Sequence, residues 1–253
     1  ALVRRHDVLR TGFVERDGQA HLQLHDDVEL EIPVHDLRDD VDQESEILRR
    51  AKQEALAVFD LSTPPLLRVQ LLVTGPTKHV LLVTMHHIVS DGWSLGLLIR
   101  ELVAHYHHFI SDEPIHLPEL AIQYADFARW QRTWFTGEEA SQQLAYWRQN
   151  LEDFPAELTL PTDRSRPPAQ SFRGSSIQFR VDAETTRQLR HLCRKSDATM
   201  FMVLLSAFNV LLYRYTQQED IIVGSPIANR NREEVESLIG FFVNTLPLRT
   251  DLS

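Results

Sequence analysis

The sequence predicts an α/β (α+β) protein built as two lobes, and three observations predict it. The chain has 253 residues, enough for one large domain or two smaller ones, each with its own core. Helix-like and strand-like patterns alternate along it instead of segregating into blocks. Past residue 154 the pattern breaks into a charged stretch holding Pro155, Pro161, Pro167 and Pro168, which reads as a linker or crossover. The expected division is residues 1–155, a crossover at 156–172, and residues 173–253. A 43% hydrophobic and 25% charged composition belongs to a chain that folds.

In the first lobe, Leu2, Val3, His6 and Leu9 stand at helical spacing and predict a helix over residues 1–11. A turn at Gly12 and an alternating strand over 19–24 follow. Ile47, Leu48, Ala51, Ala55 and Leu56 predict a helix over 42–58. After Pro64-Pro65, residues 66–73 read as a buried strand, Gly75-Pro76 as a turn and 79–86 as a second strand. A helix over 93–109 turns Leu97, Leu98, Val103 and Tyr106 inward, and two further helices cover 122–134 and 138–151. The second lobe reads as strand 175–181, helix 183–195, a strongly apolar helix 199–215, strand 220–225, helix 232–238 and strand 241–248. There is no internal repeat with a 20–50-residue period.

Composition then narrows the function classes. A formal net charge of −10, with no basic stripe interleaved with aromatics, opposes a phosphate backbone, so nucleic acid is not an expected partner. The one cysteine, Cys193, cannot form an intrachain disulfide, and no charge arrangement around it marks a nucleophile. The apolar runs at 80–85 and 200–210 are too short to span a bilayer and no signal peptide precedes the first motif, so the expected location is cytoplasmic, without a membrane. Residue 1 already lies inside a helical pattern and the chain stops just after a strand-like run, so both ends read as cut.

The chemistry-bearing segment is residues 85–94, MHHIVSDGWS. If a strand ran through His86 and His87, their side chains would point to opposite faces, one to a cavity and one to a structural place. Asp91 or Ser94 caps the helix that follows, and Gly92 tolerates a turn or a close backbone approach. A strand-to-helix junction also leaves backbone N–H groups free to meet an oxyanion. Adjacent histidines without a cysteine or third ligand at zinc spacing do not make a metal site, so none is expected. A second cluster, His105, His107 and His108 with Glu101, has helical spacing and reads as a solvated face. A histidine pair and a capping aspartate are each common as purely structural features. The company this segment keeps decides its reading.

Four blocks, in order, resemble those of the condensation domains of nonribosomal peptide synthetases. RHDVLRT at residues 5–11 is similar to that family's RHExLRT, with Asp7 where glutamate is commoner. Residues 85–94 resemble its HHxxxDG core. YADFARW at 124–130 is similar to YxDYAxW, with Phe127 in a tyrosine place, and IGFFVNTLPLR at 239–249 resembles the IGxFVNT block. The segment 160–174, LPTDRSRPPAQSFRG, is also typical of it. The resemblance covers nearly the whole chain. The family's first block and its last two have no counterpart here, so the second lobe is expected to be incomplete.

The resemblance implies a chloramphenicol-acetyltransferase-like pair of lobes with HHxxxDG at the middle of a channel. It implies aminolysis of a donor thioester by an acceptor amine, with upstream and downstream peptidyl carrier proteins presenting both substrates on phosphopantetheine arms beside an adenylation domain. The domain itself would bind no cofactor. His87 is the expected catalytic side chain, as general base or as positioner, because an imidazole titrates near neutrality. His86, Asp91 and Gly92 complete the expected catalytic group, Gly92 through its N–H, and Arg5, Trp93 and Asn244 support it. Asp91 is expected to make a structural ion pair, for which the resemblance suggests Arg5. Tyr124, Phe127, Trp130, Phe241, Phe242 and Val243 are expected mainly to pack, while Asn244 either faces the channel or holds a loop. The motif flavour points to an L-configured donor. The other readings are an epimerisation domain, a stand-alone coenzyme A-dependent acyltransferase, and a docking or scaffold domain without catalysis.

Overall fold

The structure is a computed structural model that describes residues 1–154, 157–165, 167–170 and 174–253. Parts of the expected crossover, including Ala156, Arg166, Ser171 and Phe172, lie outside the described residues. Two compact units emerge: Ala1–Ala140 with Ile227–Asn244, and Ser141–Pro226 with Thr245–Ser253. Segment Ile227–Asn244 belongs with the first unit because Val235, Leu238 and Phe242 pack with Phe127, and Ile239 enters the cluster of Val8, Leu9, Leu66, Val89, Leu97 and Leu98.

In the first unit, α1 (Leu2–Arg5) stops after one turn, His6 is extended, and the chain resumes as a 3-10 turn, Asp7–Arg10. The single helix expected over residues 1–11 is therefore broken. The break sends the His6 side chain inward and buries Val8 and Leu9. Strands β1 (Thr11–Arg16) and β2 (Gln19–Leu24) pair antiparallel. Their turn is Asp17-Gly18, with φ of 53° and 72°, the left-handed geometry a two-residue hairpin requires and glycine adopts readily. The expected turn at Gly12 is thus corrected: Gly12 lies inside β1, opposite Gln23.

A second sheet has the order β3 (Val34–Asp36), β4 (Leu67–Val73), β5 (His79–Met85), with β4 parallel to β3 and antiparallel to β5. Helix α2 (Gln43–Leu56), capped by Asp42, ties to β4 through Glu54, which accepts hydrogen bonds from Arg68 and Gln70. Leu67 pairs with Met85, so β5 ends beside the start of β4 and delivers the histidine pair there. Helix α3 (Gly92–Ser111) buries Ser94, Leu97, Leu98 and Glu101. Leu97 and Leu98 lie inward as expected, and the polar Ser94 and Glu101 complete the same helical face. The expected inward positions Val103 and Tyr106 are instead 47% and 63% exposed. Helix α4 (Tyr124–Trp134) starts where the Asp126 carboxylate accepts the Gln123 N–H, and it buries Phe127.

The second unit holds most of α5 (Glu138–Asn150), then α6 (Ala183–Lys195), α7 (Met200–Thr216) and the paired strands β6 (Asp220–Ile227) and β7 (Asn244–Asp251). Asp182 and Thr199 cap α6 and α7 by accepting backbone N–H bonds. Buried Asn209 donates to Thr250 Oγ1 at 2.8 Å, and Arg249 forks onto Asp220. Residues 175–181 are not a paired strand, contrary to expectation: Ile177 and Phe179 are 89% and 83% exposed, with no neighbouring backbone in hydrogen-bonding register among the described residues. The helix expected at 232–238 is the short Glu233–Glu236, and the last strand starts at Asn244, not at 241.

Leu72, at 0% exposure on the central strand, makes β4 the most sensitive point of its sheet. Leu72→Ala is expected to cost about 2–5 kcal/mol, read as a lowered urea midpoint with an unchanged slope.

Candidate active site

Strand β5 ends at Met85, and the next residue turns the chain. His86 is extended, its N–H donates to the Leu66 carbonyl, and its Nδ1 accepts from Ile88 N at 3.1 Å, opening a 3-10 turn, His87–Val89. Its ring meets Phe59 edge-on at 5.8 Å. Val89, at 0% exposure, plugs the core and anchors the loop from within. His87 Nδ1 lies 2.5 Å from its neighbour Ser90's carbonyl oxygen, so it is the donor and carries the ring proton. That leaves Nε2 as the ring's acceptor nitrogen, with no hydrogen-bond donor on it among the described residues, on an exposed ring. Strand alternation does not apply, because the strand has ended. The turn itself parts the two imidazoles, one toward Phe59 and the other toward Phe241, which lies 4.9 Å from His87 between ring centroids.

Asp91 caps α3 by accepting from the Ser94 N–H at 2.8 Å and the Ser94 hydroxyl at 2.7 Å. It also accepts from the Phe242 N–H at 3.0 Å and faces Arg230 Nη2 at 3.2 Å. The expected Arg5 partner is therefore corrected to Arg230. Both members of this pair have side chains at 1% exposure or less, and Arg230 is further held by the carbonyls of Val235 and Leu238 and lies over the Phe242 ring. Ser94 Oγ accepts from the Gly240 N–H at 3.0 Å and from Arg230, and lies 2.8 Å from the Gly240 carbonyl. Burial pushes the Asp91 carboxyl up, but the Ser94 and Phe242 hydrogen bonds and the Arg230 charge outweigh it and hold it below the usual carboxylate range.

Arg5 goes elsewhere. Its Nε lies 3.3 Å from Glu101 Oε1, while His6 Nε2 lies 2.9 Å from Glu101 Oε2 and His6 Nδ1 accepts the Ile239 N–H. Glu101 thus belongs to a buried anchor and not to the solvated face expected of its cluster. Burial raises its carboxyl, yet the bonds and charges of His6 and Arg5 bring it below its ordinary value. Gln123 joins α4 to the same block, accepting from the Asp7 N–H and donating to the Arg5 carbonyl.

The remaining expected residues fall around this frame. Gly92 opens α3 with ordinary backbone geometry, and a Cβ there would meet open space, so no close approach explains it. Its N–H and that of Trp93, in the first turn, have no intrahelical acceptor. Trp93 Nε1 donates to the Glu236 carbonyl at 2.9 Å, bracing the Arg230 segment. Asn244 is exposed at the start of β7. Gly240 is the tight point: a Cβ there would lie 2.3 Å from Tyr124 Cδ2, while the Tyr124 hydroxyl donates to the Phe241 carbonyl at 2.9 Å. Residues 240–242 spend their backbone groups on Ser94, Tyr124 and Asp91, which is why the last strand cannot begin there. Among the described residues, no three His, Cys, Asp or Glu side chains gather as a metal-binding group. No single helix there is long and apolar enough to cross a membrane.

The family model for the condensation domain matches residues 1–253, all four blocks included. The chain belongs to the condensation domain family. This condensation domain is 48% identical over its full length to malpibaldin synthetase of Mortierella alpina, and it spans 5% of that synthetase. Against tyrocidine synthase 3 of Brevibacillus parabrevis the identity is 43% over 99% of the chain, which spans 4% of that protein. Among solved structures, it aligns over its whole length with the X-domain from teicoplanin biosynthesis at 29% identity and a TM-score of 0.88, covering 56% of that chain. An epimerization domain, from the third module of tyrocidine synthetase B, shares the fold at 24% identity, a TM-score of 0.85 and 57% of its chain. The mixed α/β fold is thus a condensation-domain fold. Sequence reasoning missed Arg230, Ser94 as a hub, and the His6–Glu101 pair; a buried aspartate's need for a cation was the signal that could have led to Arg230.

Asp91→Ala leaves Arg230 buried without its partner and is expected to destabilise the condensation domain by about 3–5 kcal/mol in chemical denaturation. The two depressed carboxyls also set an acid limit. Each stabilises the fold fully above its unfolded value, near pH 4, and loses that contribution as pH falls through its lower folded value. Thermal melts are expected to fall below about pH 4, less steeply in Glu101→Gln than in the parent.

Proposed function

We infer that this chain is part of a catalyst of peptide-bond formation between two carrier-tethered substrates in nonribosomal peptide synthesis, with an L-configured donor. The observation that carries the reading is the His87 imidazole, exposed, with Nδ1 committed to the Ser90 carbonyl and Nε2 left as the ring's acceptor nitrogen, in the loop that leads into α3. In the reaction, the acceptor's α-amine attacks the donor thioester carbonyl. The new C–N bond forms, the C–S bond breaks, and the amine proton passes through His87 Nε2 to the departing thiolate. The Gly92 and Trp93 amides stand at a helix N-terminus, a suitable place to receive the oxyanion of the tetrahedral intermediate. Orientation of amine and thioester supplies several kcal/mol beyond the proton transfer.

In this reading His86 is a loop cap and Asp91 a positioning group, while Arg5, Trp93 and Asn244 support the frame. Upstream and downstream peptidyl carriers deliver the two substrates on phosphopantetheine arms, with a neighbouring adenylation domain, in the cytoplasm. The domain itself needs no cofactor.

The test loads upstream and downstream carriers of the synthetase with different aminoacyl groups and follows the downstream carrier by intact-protein mass spectrometry. A dipeptidyl thioester is expected, reduced at least about 100-fold in His87→Ala. Near-normal turnover in that variant removes His87 from catalysis. A scrambled α-carbon without transfer would instead indicate epimerisation, and acylation from free coenzyme A thioester a stand-alone acyltransferase.

A further inference from the structure

We propose that Phe241 is a wall of the acceptor site that limits the size of the amino-acid side chain brought to His87. The proposal rests on the reading of His87 as the group that meets the attacking amine. Its ring lies edge-on to the His87 imidazole, 4.9 Å between centroids at 79°, and is 39% exposed. An apolar ring left that open, beside the exposed imidazole of the HHxxxDG loop, has a face available to a substrate brought to that imidazole.

What holds the ring is as telling as where it stands. The Phe241 carbonyl accepts from Tyr124 Oη, the preceding N–H, that of Gly240, donates to Ser94 Oγ, and the following N–H donates to Asp91. Phe242, next in the chain, is buried against Phe127 and under Arg230. The backbone on both sides of Phe241 is therefore clamped by buried polar groups, and the side chain that projects from the clamp cannot retreat by moving its main chain. The same carboxylate, Asp91, caps α3 and pins the Phe242 N–H, so the His87 loop and the Phe241 ring are held in one register.

The chemistry selects the acceptor over the donor. The acceptor's Cβ is two bonds from the attacking nitrogen, whereas the donor's Cβ is three bonds from it in the tetrahedral intermediate. A ring in contact with the imidazole that meets that nitrogen stands closest to the acceptor side chain. A rigid apolar wall discriminates by roughly 10–200-fold per methylene-sized difference. It also holds the imidazole plane, so part of its effect falls on turnover and not on binding.

The test uses the synthetase with its carriers, a fixed donor, and glycyl and tryptophanyl acceptors in competition, with dipeptide products quantified by mass. Phe241→Ala is expected to raise the tryptophanyl-to-glycyl product ratio about tenfold or more and to lower turnover with the glycyl acceptor. Phe241→Leu should give an intermediate ratio, and Phe241→Tyr, which restores the ring edge, the parental one. An unchanged ratio in both Phe241→Ala and Phe241→Leu, or a shift toward glycyl, overturns the proposal, as does loss of folding in both, which would make the residue a core position. His87→Ala run alongside separates the two readings: if it stays active the role of His87 fails, and if it is dead while the Phe241 variants leave the ratio unmoved, only the wall does.

Discussion

Everything in the site hangs on one carboxylate. Asp91 is withdrawn from water and accepts bonds from the Ser94 amide and hydroxyl, the Phe242 amide and Arg230. A buried anion is tolerated only when its acceptor capacity is filled, and here each donor that fills it belongs to a piece of chain that must be placed. Ser94 belongs to the first turn of α3, Arg230 to the loop before Glu233–Glu236, and Phe242 to the segment that ends the first unit. Electrostatic satisfaction and tertiary placement are the same event.

The loop between β5 and α3 shows how that frame yields a usable group. Val89 is driven into the core by its apolar side chain and Asp91 by its donors, and the chain reaches them through a single tight turn, His87–Val89. That turn brings the Ser90 carbonyl to His87 Nδ1, so the tautomer follows from backbone geometry and needs no second carboxylate. The His6–Glu101–Arg5 anchor performs the same service for the other end of the unit, joining the first block of the chain to the third turn of α3. Both anchors bury a carboxylate against its partners, which gives them positional authority and makes them sensitive to loss of either partner.

Much of the fold was legible. The 3.6-residue spacing of α2, α6 and α7 and the apolar runs of β4 and β5 come from local side-chain periodicity, which survives without knowledge of partners. What failed did so where a residue serves a distant neighbour. His6 breaks a good helical pattern to reach Glu101, and residues 241–242 look like the start of a strand but give backbone groups to Tyr124 and Asp91. The inward face of α3 was legible in Leu97 and Leu98, which are buried as expected, and not in Ser94 and Glu101, polar and yet buried, or in Val103 and Tyr106, apolar and yet exposed.

By itself, then, the sequence determined the family, the alternation of helices and strands, and the segment that bears the chemistry, because each is written in the order and spacing of neighbouring residues. Only the tertiary structure decided that Arg230 and not Arg5 meets Asp91, that Nδ1 of His87 is spent on Ser90, and that Phe241 stands against that imidazole. Those are contacts across 139 residues in the first case and a turn's particular dihedral path in the second. Charge and hydropathy say that a buried aspartate needs a cation; they do not say which arginine arrives, since that is settled by the packing of the segments that carry it.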